Sequence, residues 1–194
     1  MKDTKEIILK TAYDMFLRSN YEAVTISSII KTTGLTKGAI YHYFNSKEEL
    51  FIAVVNKYMI DNKINIEIEH SSLRDLIAYS INRAKEQIAL SFNGDKVMPA
   101  QHITLIMAAF RYYPGYADIS NKFFSAEVDK WEKVLDAAIS KNEIKEDIDT
   151  QIMAMNFLVI GTNILANTLL TGSTEYAMEV FEKQLKELYK CIKK

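Results

Sequence analysis

Glycine and proline are scarce in this 194-residue chain, with six Gly and two Pro. Both residues punctuate loops and break helices. Their scarcity excludes a turn-dense β-fold and predicts long helices with short connections. Stretches of alternating apolar and polar residues are also few, which leaves little to build strands from. Cys191 is the only cysteine. No intrachain disulfide can form, and a reducing compartment is the natural setting. The opening run MKDTKEIILK lacks the apolar core and cleavage site of a secretory signal, so a cytoplasmic location is expected. No Ser-His-Asp pattern, Walker sequence or dinucleotide fingerprint is present. Catalytic residues are therefore expected to be none, and the chain is not read as an enzyme. His70 and His102 lack cysteine or carboxylate partners at ligand spacing, so neither a metal nor another cofactor is expected.

What the chain holds instead is helical periodicity. Apolar residues make up 48% and charged residues 25%, a globular balance that excludes disorder. Ile8, Ala12, Met15 and Phe16 predict a first helix from Asp3 to Ser19. Asn20 is expected to end it in a left-handed conformation. Thr25 N-caps a second helix, Ile26–Thr33, which Gly34 stops. Thr36 N-caps a third, Lys37–Phe44. Ser46 opens a fourth through the capping box Ser46-Lys47-Glu48-Glu49, and Leu50, Val54 and Tyr58 continue it. Five more helices follow, over Ser72–Ser91, Met98–Arg111, Tyr116–Lys141, Thr150–Thr171 and Thr174–Lys193. The fold class is all-α, with about nine helices. Gln151 to Thr174 carries no charge and is long enough to span a bilayer. Asn156, Thr162, Asn163, Asn167, Thr168 and Thr171 interrupt it, so it reads as a buried helix of a soluble protein, with no membrane partner.

Net charge is only −1, but it is unevenly spread. Residues 1–60 hold eight Lys and Arg against six Asp and Glu, and the remainder holds sixteen against nineteen. From Thr25 to Lys47 there are three lysines, Lys31, Lys37 and Lys47, and no acid. A phosphate-facing surface needs that freedom from carboxylates. Two short helices across a Gly turn form a helix-turn-helix, whose second helix presents its N-terminal residues to base edges in the major groove. Gly38 and Ala39 permit close approach. Lys37 and Tyr41 can donate to phosphates or bases, while Ile40 and Phe44 point inward. Lys47 sits beside the free amides opening the fourth helix, which together make a phosphate site.

The run Leu-Thr-Lys-Gly-Ala-Ile-Tyr-His-Tyr-Phe-Asn-Ser-Lys-Glu-Glu-Leu-Phe, from Leu35 to Phe51, resembles the signature of the TetR family of bacterial transcriptional regulators. Ile8 to Phe16 and Thr25 fall at that family's usual offsets. Asn20 and Asn142 stand where the family usually has Gly. The resemblance implies a helix-turn-helix domain over residues 1–48, with the motif at about 25–44. Residues 49–194 would form a helical domain for effector binding and dimerisation. The candidate DNA-binding residues are Thr25, Thr36, Lys37, Gly38, Tyr41, His42, Tyr43 and Lys47. Thr25 and Thr36 are helix caps first, and phosphate contact is an addition the resemblance implies.

The second half is crowded with aromatics and methionine. Helical spacing alone makes this core, but the resemblance places an effector cavity here. Its candidate lining is Phe92, Met98, His102, Met107, Phe110, Tyr113, Phe123, Trp131, Asn156, Phe157 and Asn163. Aromatic and Met walls suit an apolar or aromatic small molecule, and His102, Asn156 and Asn163 would need partners if buried. In the last two helices, Ile152, Met155, Val159, Thr162 and Ala166 step by three or four. So do Met178, Phe181, Leu185 and Leu188. These seams are expected to form a four-helix homodimer interface. The expectation is a homodimeric regulator, a repressor, released from a palindromic double-stranded DNA operator by its effector. Two alternatives stand beside it. One is a regulator of the same fold answering to a protein partner. The other is a helical enzyme or carrier that does not bind DNA.

Overall fold

The computed structural model describes residues 3–61, 72–91 and 99–194. Among them the elements are α1 (Asp3–Arg18), α2 (Ile26–Thr33), α3 (Lys37–Tyr41), α4 (Lys47–Val55), a π-helical turn (Asn56–Ile60), α5 (Leu73–Ser91), α6 (Pro99–Tyr112), α7 (Tyr116–Ser140), α8 (Thr150–Thr171) and α9 (Thr174–Ile192). The all-α class predicted from the sequence is the one found, and most helix ends lie within a residue or two of expectation. Phe92, Met98 and His70 fall outside the described residues. The contacts divide the chain into two compact units: Met1–Glu67 with Ala100–Ala117, and Ile68–Pro99 with Asp118–Lys194.

The first unit is built around α1 and α4. Ile8, Ala12 and Phe16 of α1 are buried with Leu50, Phe51, Val54 and Val55 of α4. Phe16 meets Phe51 edge-on, with centroids 5.0 Å apart. Each fully buried side chain of this size stabilises the fold by roughly 1.5–3 kcal/mol, so this small core holds the helix-turn-helix firmly. Ile29 of α2, Ile40 of α3 and Phe44 beyond it are buried as well. Leu105 and Ala109 of α6 are buried too, and Tyr113 donates its hydroxyl hydrogen to Asn56 Oδ1 at 2.8 Å. Past Val55 the helix widens into the π-helical turn, where the sequence predicted uninterrupted α-helix. There Tyr58 stacks on Tyr13 at 4.2 Å.

Two loop residues behave differently from each other. Asn142 takes φ 58° after α7 and is the one non-glycine residue with positive φ among those described. Its amide donates to Ile139 and the next to Ala138, which closes the helix end as a glycine would. Asn20 does not go left-handed, contrary to expectation. Its side-chain Oδ1 accepts from the Ala23 amide at 2.9 Å, so it makes a local side-chain turn instead.

The second unit packs α5, α7, α8 and α9 around one core. Leu73, Leu76, Ile77 and Ile81 meet Val128, Trp131, Leu135 and Ala138, with Ile144, Ala154, Phe157, Phe181, Leu185 and Ile192 completing it. The chain end is tied to the α7–α8 loop: the Lys145 amide donates to Ile192 O at 2.8 Å, and Tyr189 donates its hydroxyl hydrogen to Glu143 at 2.9 Å. Helix α8 is long and apolar enough to cross a membrane by length and composition. Only one side of it is buried, through Ala154, Phe157 and Thr168.

Candidate nucleic-acid interface

Three side-chain caps set the geometry of the helix-turn-helix. Thr25 Oγ1 accepts from the Ser28 amide at 3.0 Å, and the Thr25 amide donates to Ser28 Oγ at 3.0 Å. This reciprocal box satisfies two amides at the start of α2. Gly34 then ends α2 at φ 71°, a conformation a side chain resists. Thr36 Oγ1 accepts from the Ala39 amide at 3.2 Å and opens α3. Ser46 Oγ accepts from the Glu49 amide at 3.0 Å. The Glu49 carboxylate reaches back one residue further than the predicted box, to the Asn45 amide at 2.8 Å and its side-chain Nδ2 at 3.1 Å.

Helix α3 ends at Tyr41, earlier than the predicted Phe44, and His42 and Tyr43 form the turn beyond it. Ile40 and Phe44 anchor this segment in the core. Thr36, Lys37, Gly38, Tyr41 and His42 are exposed on the other side, and Tyr43 is half-buried. The Lys37 ammonium lies 5.7 Å from the Tyr41 ring. His42 meets Tyr43 edge-on at 4.9 Å. Beyond its own stretch of helix, no atom of the described residues lies within 4 Å of where a Gly38 Cβ would stand. The protein's own packing therefore does not require glycine there.

Lys47 is not the free cation that its place at a helix start suggests. Its Nζ donates to Tyr21 O at 2.9 Å and sits 4.0 Å from the centroid of the Tyr21 ring. That leaves an ammonium with further N–H groups, held at a fixed place. The Tyr21 ring also stacks on Tyr112 of α6, with centroids 4.1 Å apart and planes 20° apart. The Tyr112 hydroxyl hydrogen-bonds the Glu22 carboxylate, and the Arg111 guanidinium stands 3.7 Å from it. The Glu22–Tyr112 hydrogen bond lowers the Glu22 pKa and raises that of Tyr112. Neither Tyr21 nor Glu22 stands out in the sequence, and Tyr112 stands out only as one of the many aromatics of the second half. Residues 90 positions apart leave no local signal of their meeting.

The candidate effector residues fall in both units. In the first unit, Met107 and Phe110 are 63% and 50% exposed. They line an open groove of about 440 Å³ together with Asn20, Tyr21, Glu22, Thr104, Ala108, Arg111 and Tyr112. His102 is half-buried, and Tyr113 is spent on Asn56. In the second unit, Trp131 and Phe157 stack on each other at 4.8 Å inside the core. Phe123 and Asn163 are half-buried. Asn156, expected at a buried position, is exposed and needs no protein partner.

Burial holds the His102 imidazole below its ordinary value of 6.5. The unfolded chain then takes up a proton that the folded chain resists. The associated stability is complete above the unfolded value and drains as pH falls through the lower folded one. His102→Gln should therefore narrow the difference in urea midpoint between pH 7.5 and pH 5. An unchanged difference would show that His102 is solvated.

The two predicted dimer seams are sorted by burial. Ile152 and Val159 are 51% and 48% exposed, Ala166 is exposed, and Met155, Met178 and Leu188 are half-buried. Phe181 and Leu185 are a correction. They are buried in the chain's own core, so the α9 seam turns inward. Leu169 and Leu170, at 43% and 84% exposure, extend the outer face of α8.

A capped pair of short helices over a small core, with an outward face free of acid from Thr25 to Lys47, defines a helix-turn-helix DNA-binding protein. Residues 8–54 match bacterial regulatory proteins of the tetR family. Over that span the chain is a tetR-family helix-turn-helix of a DNA-binding transcriptional regulator. It is 25% identical over 171 residues to the HTH-type transcriptional regulator YfiR of Bacillus subtilis (strain 168), across 87% of this chain and 82% of that one. It is 36% identical over 110 residues to the HTH-type transcriptional regulator QacR of Staphylococcus aureus (strain Mu50), across 57% of this chain and 48% of QacR. The fold is that of a SmeT–triclosan complex, with TM-score 0.71 and 19% identity over 98% of this chain and 92% of that one. It is also that of NalD, the secondary repressor of the MexAB-OprM multidrug efflux pump in Pseudomonas aeruginosa. There the TM-score is 0.70 and the identity 15%, over 100% of this chain and 98% of NalD.

Proposed function

We propose that the protein is a cytoplasmic homodimeric repressor that leaves a palindromic operator when an apolar or aromatic small molecule binds. The exposed α3 face carries this reading. Lys37, Gly38, Tyr41 and His42 stand outward on a rigid base, with no acid to repel phosphate. DNA contact is assigned to Thr25, Thr36, Lys37, Gly38, Tyr41, His42, Tyr43 and Lys47, within residues 1–48. Effector binding and dimerisation are assigned to residues 49–194. Helix α6 lies within that span, yet packs in the same compact unit as the helix-turn-helix. This membership supports communication between ligand and DNA. The uncharged outer face of α8 supports pairing with a second copy, which would set two recognition helices about 34–36 Å apart, one turn of B-DNA. The triclosan complex of SmeT supports the class of ligand.

The test is selection of duplexes from a random pool, followed by calorimetric titration of aromatic compounds found by thermal shift, with and without the selected duplex. Coupling between sites is reciprocal, so duplex and ligand should weaken each other by one factor, typically about 5–150-fold. A pool that yields no enriched palindrome overturns the DNA reading. Ligands with equal affinity in both titrations overturn the gating.

A further inference from the structure

We propose that Tyr112 of α6 is a positioning residue for DNA binding: stacked on Tyr21, it fixes the Lys47 ammonium where α4 meets a phosphate. The inference rests on the reading that Lys47 contacts DNA. A lysine has four rotatable bonds, and a free one spreads its charge over many positions. Lys47 is restrained twice, by its hydrogen bond to Tyr21 O and by the Tyr21 ring beneath the ammonium. Both restraints belong to one residue in the loop between α1 and α2, so that residue's placement decides where the charge lies. Lys47 at 4.0 Å and the Tyr112 ring at 4.1 Å cannot share one face of Tyr21, so they cover opposite faces. Phe51 meets its edge at 4.8 Å. Tyr21 is thus clasped between the start of α4 and the last turn of α6.

The clasp has a second attachment. Tyr112 donates to the carboxylate of Glu22, the residue next to Tyr21, and Arg111 stands 3.7 Å from the same group. The end of α6 therefore grips the loop through a ring and through a hydroxyl. If the last turn of α6 shifts, Tyr21 loses the ring on one face and with it the backing that presents the other face to Lys47. One phosphate contact is then gained or lost with the position of α6, without any rearrangement of α3.

Fluorescence anisotropy of the full chain on a duplex selected from a random pool, followed across about 50–200 mM salt, tests this. Lys47→Met should raise Kd about fivefold and lower the salt slope by about one. Tyr112→Leu should do the same. The double variant should stay near fivefold, because residues acting as a unit do not add. Tyr112→Phe keeps the ring and should remain within about twofold of wild type. A DNA-independent signal accompanies these: the ε-methylene protons of Lys47, lying over Tyr21, should resonate upfield and return towards ordinary lysine values in Tyr112→Leu. If that variant does not fold, the same shift read in Tyr112→His and Tyr112→Phe should rank with ring stacking. Retention of the upfield shift after loss of the Tyr112 ring overturns the positioning role. So does a double variant whose effects multiply. An unchanged Kd and slope in Lys47→Met overturn the phosphate contact instead, and leave the resonance to report on the clasp alone.

Discussion

Gly38→Leu should abolish specific DNA binding while leaving the protein as stable as before or slightly more so. The two effects have separate origins. Nothing lies within 4 Å of the missing Cβ, and the residue is exposed within α3. A side chain can therefore leave this position without its Cβ meeting another part of the described protein. Leucine also favours helix over glycine by about 0.5–1 kcal/mol, which corresponds to a Tm rise of roughly 1–4 °C in a chain of this size. Against DNA the same side chain projects from the start of the recognition helix, between backbone and groove floor. Base contacts need hydrogen-bond distances, and a bulky aliphatic group holds the helix off them. Affinity for a selected duplex should fall to the non-specific level, on the order of 10³-fold weaker. A gel shift within about threefold of wild type would place α3 outside the groove and sink the interface. The Tm measured alongside separates this outcome from trivial unfolding.

The second large effect distinguishes the two faces that share the last helices. Val159→Glu with Leu169→Glu places two carboxylates on the exposed side of α8. The variant should melt as wild type does, yet sediment as a monomer. A single head reads one half-site, so loss of the linked second contact should cost at least about 100-fold in operator affinity. Leu185→Glu behaves otherwise. Leu185 is 1% exposed, within a core shared with α5, α7 and α8. An unpaired buried charge costs on the order of 3–5 kcal/mol, a large part of the roughly 5–15 kcal/mol that holds a domain folded. That variant should lose its cooperative melt. A dimer that persists in the α8 double variant would move the interface elsewhere. A well-folded Leu185→Glu dimer would contradict the packing of α9.

The contrast explains what could be read from the amino acids. Thr25, Thr36 and Ser46 were legible as caps because a cap bonds within three residues of itself, and Gly34 because a left-handed residue has few alternatives. The inward placement of Ile40 and Phe44 followed from periodicity alone. Periodicity could not choose a side for α8, which is apolar nearly all round. Ala154 and Phe157 go inward, Ile152 and Val159 outward, and spacing treats them alike. For α9 the periodic stripe was real, but a stripe states only that something covers it, and here that something is the chain itself. Asn20 failed for a different reason. Asparagine serves both left-handed backbone and side-chain turns, and the residue type does not say which. The clasp on Lys47 was illegible because its parts, on α4, the α1–α2 loop and α6, meet only through the fold. The place of Lys47 at the opening of a helix located it, but nothing local tied it to Tyr112.

The π-helical turn from Asn56 to Ile60 has a bearing on how chain length is tolerated. Such a turn accommodates one residue more than an α-helix of the same rise. A deletion of one residue between Asn56 and Ile60 would therefore not break the helix but regularise it. The price is rotational: each α-helical residue advances about 100° and 1.5 Å, so the chain leaving Ile60 would depart facing another direction. Tyr58 would turn away from Tyr13. The turn is thus a point where an insertion or deletion re-aims the side chains that follow Asn56 while every backbone hydrogen bond finds a partner.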